Sequence, residues 1–176
     1  MNNRFKMQLI FAIPLLIGAA IYQFGAALQP ANAQRLQTAK VTSITDGDTV
    51  RLEGYKESFR LIGIDTPESK RNVRAKDIAK RTGQSLDSII AEGKRAKAFT
   101  ASLLENKIVT IEWDVQRTDR YGRNLAYLVI SGKNSSVEIA RAGFADPLTI
   151  PPNVKYADKI LAASREARQA KRGLWQ

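Results

Sequence analysis

The chain contains no cysteine and no histidine. Without them no Ser-His-Asp or Cys-His nucleophile can be assembled, and no zinc site of the usual cysteine and histidine kind. No disulfide framework is available either. A hydrophobic core has to hold the fold, and 44% apolar residues in 176 suffice for one domain. Acidic residues are also scarce: 17 Asp and Glu stand against 28 Lys and Arg, a net charge of +11. That excess points to polyanionic partners and says nothing about fold. Carboxylate, guanidinium, ammonium and hydroxyl groups are left for chemistry, with any ion their oxygens can hold.

Charge is missing altogether from Met7 to Gln34. Arg4 and Lys6 precede this run, and Leu9 to Ile21 has the length of a signal-peptide apolar segment. Ala31-Asn32-Ala33 offers small residues for a cut before Gln34. Residues 1–33 are therefore expected to be a signal peptide and the protein to be exported, secreted or periplasmic. The alternative is an uncleaved, outward-facing membrane anchor, since Leu9 to Leu28 is 20 residues long. The remaining domain, 34–176, carries +9, because Arg4 and Lys6 leave with the leader and no acid does.

In that domain Lys40–Thr45, Thr49–Glu53 and Ser58–Ile64 read as strands, rich in β-branched and aromatic residues. Asp46-Gly47-Asp48 is a hairpin turn, with Gly47 expected there because glycine tolerates positive φ. Pro67 ends the third strand. The basic, polar stretch Arg71–Gly83 is expected to be a mobile loop or loose helix. Ser85 caps a helix bearing Leu86, Ile89, Ile90, Ala96, Phe99 and Leu103, although Gly93 argues for an interruption. Lys107–Trp113 and Leu125–Ile130 are two further strands. Ser136 caps a short helix ending near Gly143, and a last helix runs from about Val154 to Arg172, stopped by Gly173. Three strands, a helix, two strands and two helices suit an α+β fold: a five-stranded Greek-key β-barrel of the OB type with flanking helices.

Four clusters carry chemistry-bearing side chains: Asp46-Gly47-Asp48-Thr49; Arg60 within Phe59-Arg60-Leu61-Ile62; Asp65-Thr66-Pro67-Glu68; and Arg117-Thr118-Asp119-Arg120-Tyr121-Gly122-Arg123. Singly, each has an ordinary structural explanation as a turn, an edge charge or a solvated loop. Together they offer two carboxylates at one end of a meander, suited with carbonyl and water oxygens to Ca²⁺ or Mg²⁺. Phosphodiester cleavage needs a base or positioner for water and positive charge on the phosphoryl oxygens. Glu68, Arg60 and Arg123 are candidates for those parts. Strict strand alternation puts Arg60 and Asp65 on opposite faces, so their convergence requires a bulge or a strand end between them.

These four motifs, in this order and with Asn124-Leu125-Ala126-Tyr127 after the last, resemble the staphylococcal nuclease (thermonuclease) family from about Lys40 to Trp175. The resemblance implies an OB-fold barrel and Ca²⁺-dependent hydrolysis of DNA and RNA leaving 3′-phosphate ends. It implies that Asp48, Asp65 and the Thr66 carbonyl hold calcium and that Asp46 supports them. It further implies that Glu68 orients or deprotonates the attacking water, that Arg60 and Arg123 stabilise the phosphoryl transition state, and that Arg120 and Tyr121 contact the nucleotide. A monomer without a stable protein partner is expected, with membrane contact only if the leader stays. Two departures stand out: a longer segment between Glu68 and Phe99, and Asp146-Pro147-Leu148-Thr149-Ile150-Pro151 where the family carries a tyrosine pair. The alternative function is a non-catalytic OB-fold module that only binds nucleic acid.

Overall fold

The structure, a computed structural model, describes residues 37–176; the expected signal peptide lies outside the described residues. Strands β1 (Gln37–Asp46), β2 (Thr49–Leu52) and β3 (Phe59–Leu61) form an antiparallel meander. The expected third strand divides here, and β4 (Gly63–Asp65) follows as a separate element. Two helices come next, α1 (Val73–Thr82) and α2 (Leu86–Leu104), then the long hairpin of β5 (Ile108–Thr118) and β6 (Asn124–Ile130). A two-residue β7 (Lys133–Asn134), α3 (Ser135–Arg141), β8 (Asp146–Leu148), α4 (Ala157–Gln169) and a 3₁₀ turn at Gly173–Trp175 complete the chain.

The main sheet runs β3-β2-β1-β5-β6-β7, and β3 also pairs in parallel with β6. Five strands thereby close on themselves, through a contact only three residues long, as an OB-like barrel within an α+β fold. β4 and β8 pair apart from it. Val41, Val50, Phe59, Leu61, Val109 and Leu128 fill the interior, with Leu104 of α2 and Ile139 of α3 packed against them. A smaller cluster, Ala75 with Ile89 and Ile90, holds α1 onto α2. Among the described residues no helix is long and apolar enough to cross a membrane.

Several expectations are corrected. Arg71–Gly83 is not loose: Asn72 caps α1 by accepting from the Ala75 N–H at 2.8 Å, and Gly83 closes it at φ +75°. Helix α2 runs unbroken through Gly93, where an added Cβ would lie 2.2 Å from the Glu68 carbonyl oxygen. That glycine marks a close approach of two backbones, not a weak point. Gly47 is not a positive-φ residue; its missing side chain makes room for Thr66, whose Oγ1 would sit 2.8 Å from a Cβ. Asn134, not Ser136, caps α3, accepting from the Val137 N–H at 3.2 Å. The last helix is shorter than expected at both ends.

Candidate active site

The first hairpin carries Asp46 and Asp48 to one end of the barrel. Thr100 of α2 anchors its turn by donating to the Gly47 carbonyl at 2.6 Å. Asp48 is 5% exposed, and each of its oxygens has a fixed use. Oδ1 accepts from the Thr49 hydroxyl at 2.9 Å. Oδ2 accepts from the Thr66 N–H at 3.0 Å and its hydroxyl at 3.1 Å, and forms an ion pair with Arg60. Asp46 lies beside it, accepting from the Gly47 N–H at 3.0 Å. Burial, with the neighbouring charges of Asp48 and Glu68, holds the Asp46 carboxyl above the ordinary aspartate range.

Arg60 is 8% exposed, so it is no edge or solvent-facing residue. One terminal nitrogen reaches Asp48; the other reaches Asp65 Oδ1 at 2.7 Å. The parity conflict is resolved between them. Gly63 turns the chain at φ +89°, ending β3 and starting β4 with the faces reset. Asp65 Oδ1 and Oδ2 also accept from Arg74 at 2.7 and 2.6 Å. The other arm of Arg74 reaches Glu68 Oε1 at 2.9 Å, and Asn72 donates to Glu68 Oε2 at 2.6 Å. Asp48, Arg60, Asp65, Arg74 and Glu68 thus form one unbroken chain of alternating charges. Burial alone would favour neutral Arg74, but its bonds to Asp65 and the charges of Glu68 and Asp48 hold its guanidinium more firmly protonated. Arg74 and Asn72 were missed from sequence because they sit in the stretch read as loose.

The β5–β6 loop supplies the opposite wall. Asp119 Oδ1 accepts from the N–H groups of Tyr121 (2.9 Å) and Arg123 (3.0 Å), while Oδ2 takes Arg123 Nε at 2.7 Å. Partial burial would raise the Asp119 carboxyl, but these bonds outweigh it and hold it below the usual range. Arg120 donates to the Tyr121 hydroxyl at 2.6 Å, and both Arg120 and Arg123 lie over its ring. Tyr121 is 67% exposed even with these two guanidiniums over its ring.

Both walls face one cleft of about 930 Å³. Arg60, Asp65, Glu68, Arg74, Arg120, Tyr121 and Arg123 line it; Asp48 reaches it only through its ion pair with Arg60, and Thr66 and Asp46 do not line it. The Arg123 loop makes no direct bond to the Asp48–Glu68 chain. Leu148 and Ile150, both exposed, also line it, from the segment where the resemblance leads one to expect a tyrosine pair.

The donor set fits a hard divalent cation. All its atoms are oxygens, and four carboxylates (Asp46, Asp48, Asp65, Glu68) face two guanidiniums, an excess of two negative charges. Among the described residues no three acidic groups converge as a ready-made cage. Asp48 and Asp65 are brought together through Arg60, which pairs with one oxygen of each.

The model of the family described as staphylococcal nuclease homologue matches residues 58–176. A thermonuclease of Staphylococcus hyicus is 35% identical over 152 residues, covering 85% of this chain and 80% of that protein. A thermonuclease of Staphylococcus intermedius is 33% identical over 170 residues, 96% of this chain and 94% of that one. Endonuclease YncB of Bacillus subtilis is 27% identical over 148 residues, covering 82% and 64%.

Proposed function

Because the chain belongs to the staphylococcal nuclease family, we propose that it is a metal-dependent nuclease hydrolysing phosphodiester bonds of DNA and RNA in the cleft between β4, α1 and the β5–β6 loop. The observation that carries this reading is the chain of carboxylates and guanidiniums running from buried Asp48 to Glu68 at the cleft wall. A module that only binds nucleic acid gains nothing from burying carboxylates beside a polyanion, because like charges repel. Cleavage needs both signs.

Asp48, Asp65 and the Thr66 carbonyl would hold the cation, Ca²⁺ by the family resemblance, with Asp46 in support. When bound, it neutralises charge on the phosphodiester and draws water to it. Glu68, fixed on both oxygens, orients the attacking water and accepts its proton as the water oxygen bonds to phosphorus. The bond from phosphorus to the 5′-oxygen breaks, that oxygen is protonated from solvent, and a 3′-phosphate remains. Arg60 and Arg123 meet the non-bridging oxygens, where charge grows in the transition state. Asp119 grips Arg123 at Nε and through the loop backbone, which presents the planar end of the guanidinium to the cleft. Arg120 and the Tyr121 ring would receive the neighbouring nucleotide. We further propose export directed by residues 1–33, which mass spectrometry of the mature N-terminus tests.

Plasmid DNA and a single-stranded RNA, each incubated with Ca²⁺, Mg²⁺, Mn²⁺ or chelator, give the direct test. Degradation is expected with Ca²⁺ and none with chelator. Glu68→Gln and Arg123→Ala should each lower kcat about 10²–10³-fold with the fold intact. A stable gel shift without degradation in every metal would identify a binding module instead.

A further inference from the structure

We propose that Arg74, delivered by α1, is a positioning residue for Glu68: together with Asn72 it clamps both carboxylate oxygens and so fixes where the attacking water is held. The inference rests on the nuclease reading given above and adds to it an element outside the motifs that carry the family resemblance. Glu68 follows Pro67 on a loop, and a glutamate there has three side-chain torsions to lose. Its backbone is fixed from one side, where α2 comes so close at Gly93 that no Cβ fits. Its carboxylate is fixed from the other. Arg74 Nη1 holds Oε1 at 2.9 Å and Asn72 Nδ2 holds Oε2 at 2.6 Å, leaving the Glu68 side chain 12% exposed.

The clamp, though half open to solvent, is itself braced. Asn72 Oδ1 is committed to capping α1, so its amide nitrogen has one direction left to point. Arg74 is located by its second pair, both oxygens of Asp65. Helix α1 in turn is held on α2 by Ala75, wholly buried against Ile89 and Ile90. A basic residue present only to attract a polyanion would stand free in solvent, as a point charge. Arg74 instead uses its planar fork to space two carboxylates that belong to different turns of the chain. Because reactivity falls steeply with ångström misplacement of a reacting group, the clamp should act on turnover and not on attraction.

Arg74→Met is therefore expected to lower kcat about 10- to 100-fold while KM for a single-stranded oligonucleotide stays within about threefold. Arg74→Lys should restore part of kcat, reaching one carboxylate of the two. Asn72→Ser keeps a cap and removes the amide donor, and should lower kcat less, about 3- to 10-fold. Lys80→Met, the same charge change on the last turn of α1, should match wild type. Circular dichroism and thermal melting of each variant confirm the fold. Independently of turnover, carboxyl-¹³C glutamate NMR should show a dispersed Glu68 signal, assigned through Glu68→Gln, that moves to the exposed-glutamate position in Arg74→Met. An unmoved signal, or a change in KM and its salt slope with kcat untouched, overturns the positioning role. A wild type that cleaves nothing overturns the nuclease reading and Arg74's catalytic purpose with it, whatever the NMR shows of the clamp.

Discussion

Arg60 illustrates how much one side chain is asked to do. It is almost fully buried, and both terminal nitrogens are committed to the carboxylates that would hold a cation. Guanidinium and cation therefore compete for the same oxygens. Arg60→Ala should leave the buried Asp48 carboxylate without its one cationic partner among the described residues, while Asp65 keeps Arg74, a loss of about 3 kcal/mol in the absence of metal. The same variant should bind Ca²⁺ more tightly, because a like charge has left the site. A ligand that binds only the folded state stabilises it in proportion to its affinity. Calcium should thus raise the melting temperature of Arg60→Ala more than that of wild type, although turnover is lost. Equal shifts in a differential scanning measurement would mean that the ion is not held between these carboxylates. Arg60 was readable in sequence as an arginine inside an apolar strand; its convergence with Asp65 was not, because that depends on the turn at Gly63.

At the scale of elements, the barrel strands and α2 were legible because alternating and helical apolar patterns survive in them undiluted. Helix α1 was not. Its buried face is only Ala75, with Ile78 and Ala79 partly covered, amid Arg71, Arg74, Lys76, Lys80 and Arg81, so its apolar side is narrow and outnumbered by charge. The cap at Asn72 and the stop at Gly83 were the available signals, each too common alone to outweigh that polarity. With α1 read as loose, the clamp on Glu68 could not be seen. Gly93 shows the same limitation in reverse: it suggested a break, yet its role depends on a backbone 25 residues earlier. A glycine in an exposed helix gains about 1 kcal/mol on becoming alanine. Here Gly93→Ala places a methyl 2.2 Å from the Glu68 carbonyl oxygen, with backbone on both sides of the contact. The variant should instead lose about 2–3 kcal/mol in urea unfolding, and kcat should fall as Glu68 is pushed toward the cleft. A gain in stability with normal kcat would show that the two segments are free to part.

For the molecule as a whole, the barrel closes through the brief pairing of β3 with β6, and β6 carries Tyr127, the largest wholly buried side chain among the described residues. Its ring meets Tyr156 edge-on at 4.7 Å between centroids, joining the barrel to the start of α4. The Tyr127 hydroxyl is buried beside the Tyr156 backbone and Asp114 without a well-formed hydrogen bond to either, and burial, with the Asp114 charge, pushes its ionisation up to about 12. An acid whose folded-state value is raised favours its neutral form in the fold. The stability this represents is whole below about pH 10, where the unfolded phenol begins to ionise, and is lost as pH rises toward 12. Tyr156 is also pushed up, by burial and by donating to Glu112. Comparison with Tyr127→Phe isolates the buried ring. The variant removes a buried hydroxyl that has no well-formed hydrogen bond and should change stability at pH 7 by less than about 1 kcal/mol. Between pH 10 and 12 it should lose about 2 kcal/mol less than wild type, seen as a later alkaline unfolding midpoint by tryptophan fluorescence. Superimposable alkaline curves would mean that the barrel opens around Tyr127 before its phenol ionises, and that the β3–β6 closure is the weak seam of the molecule.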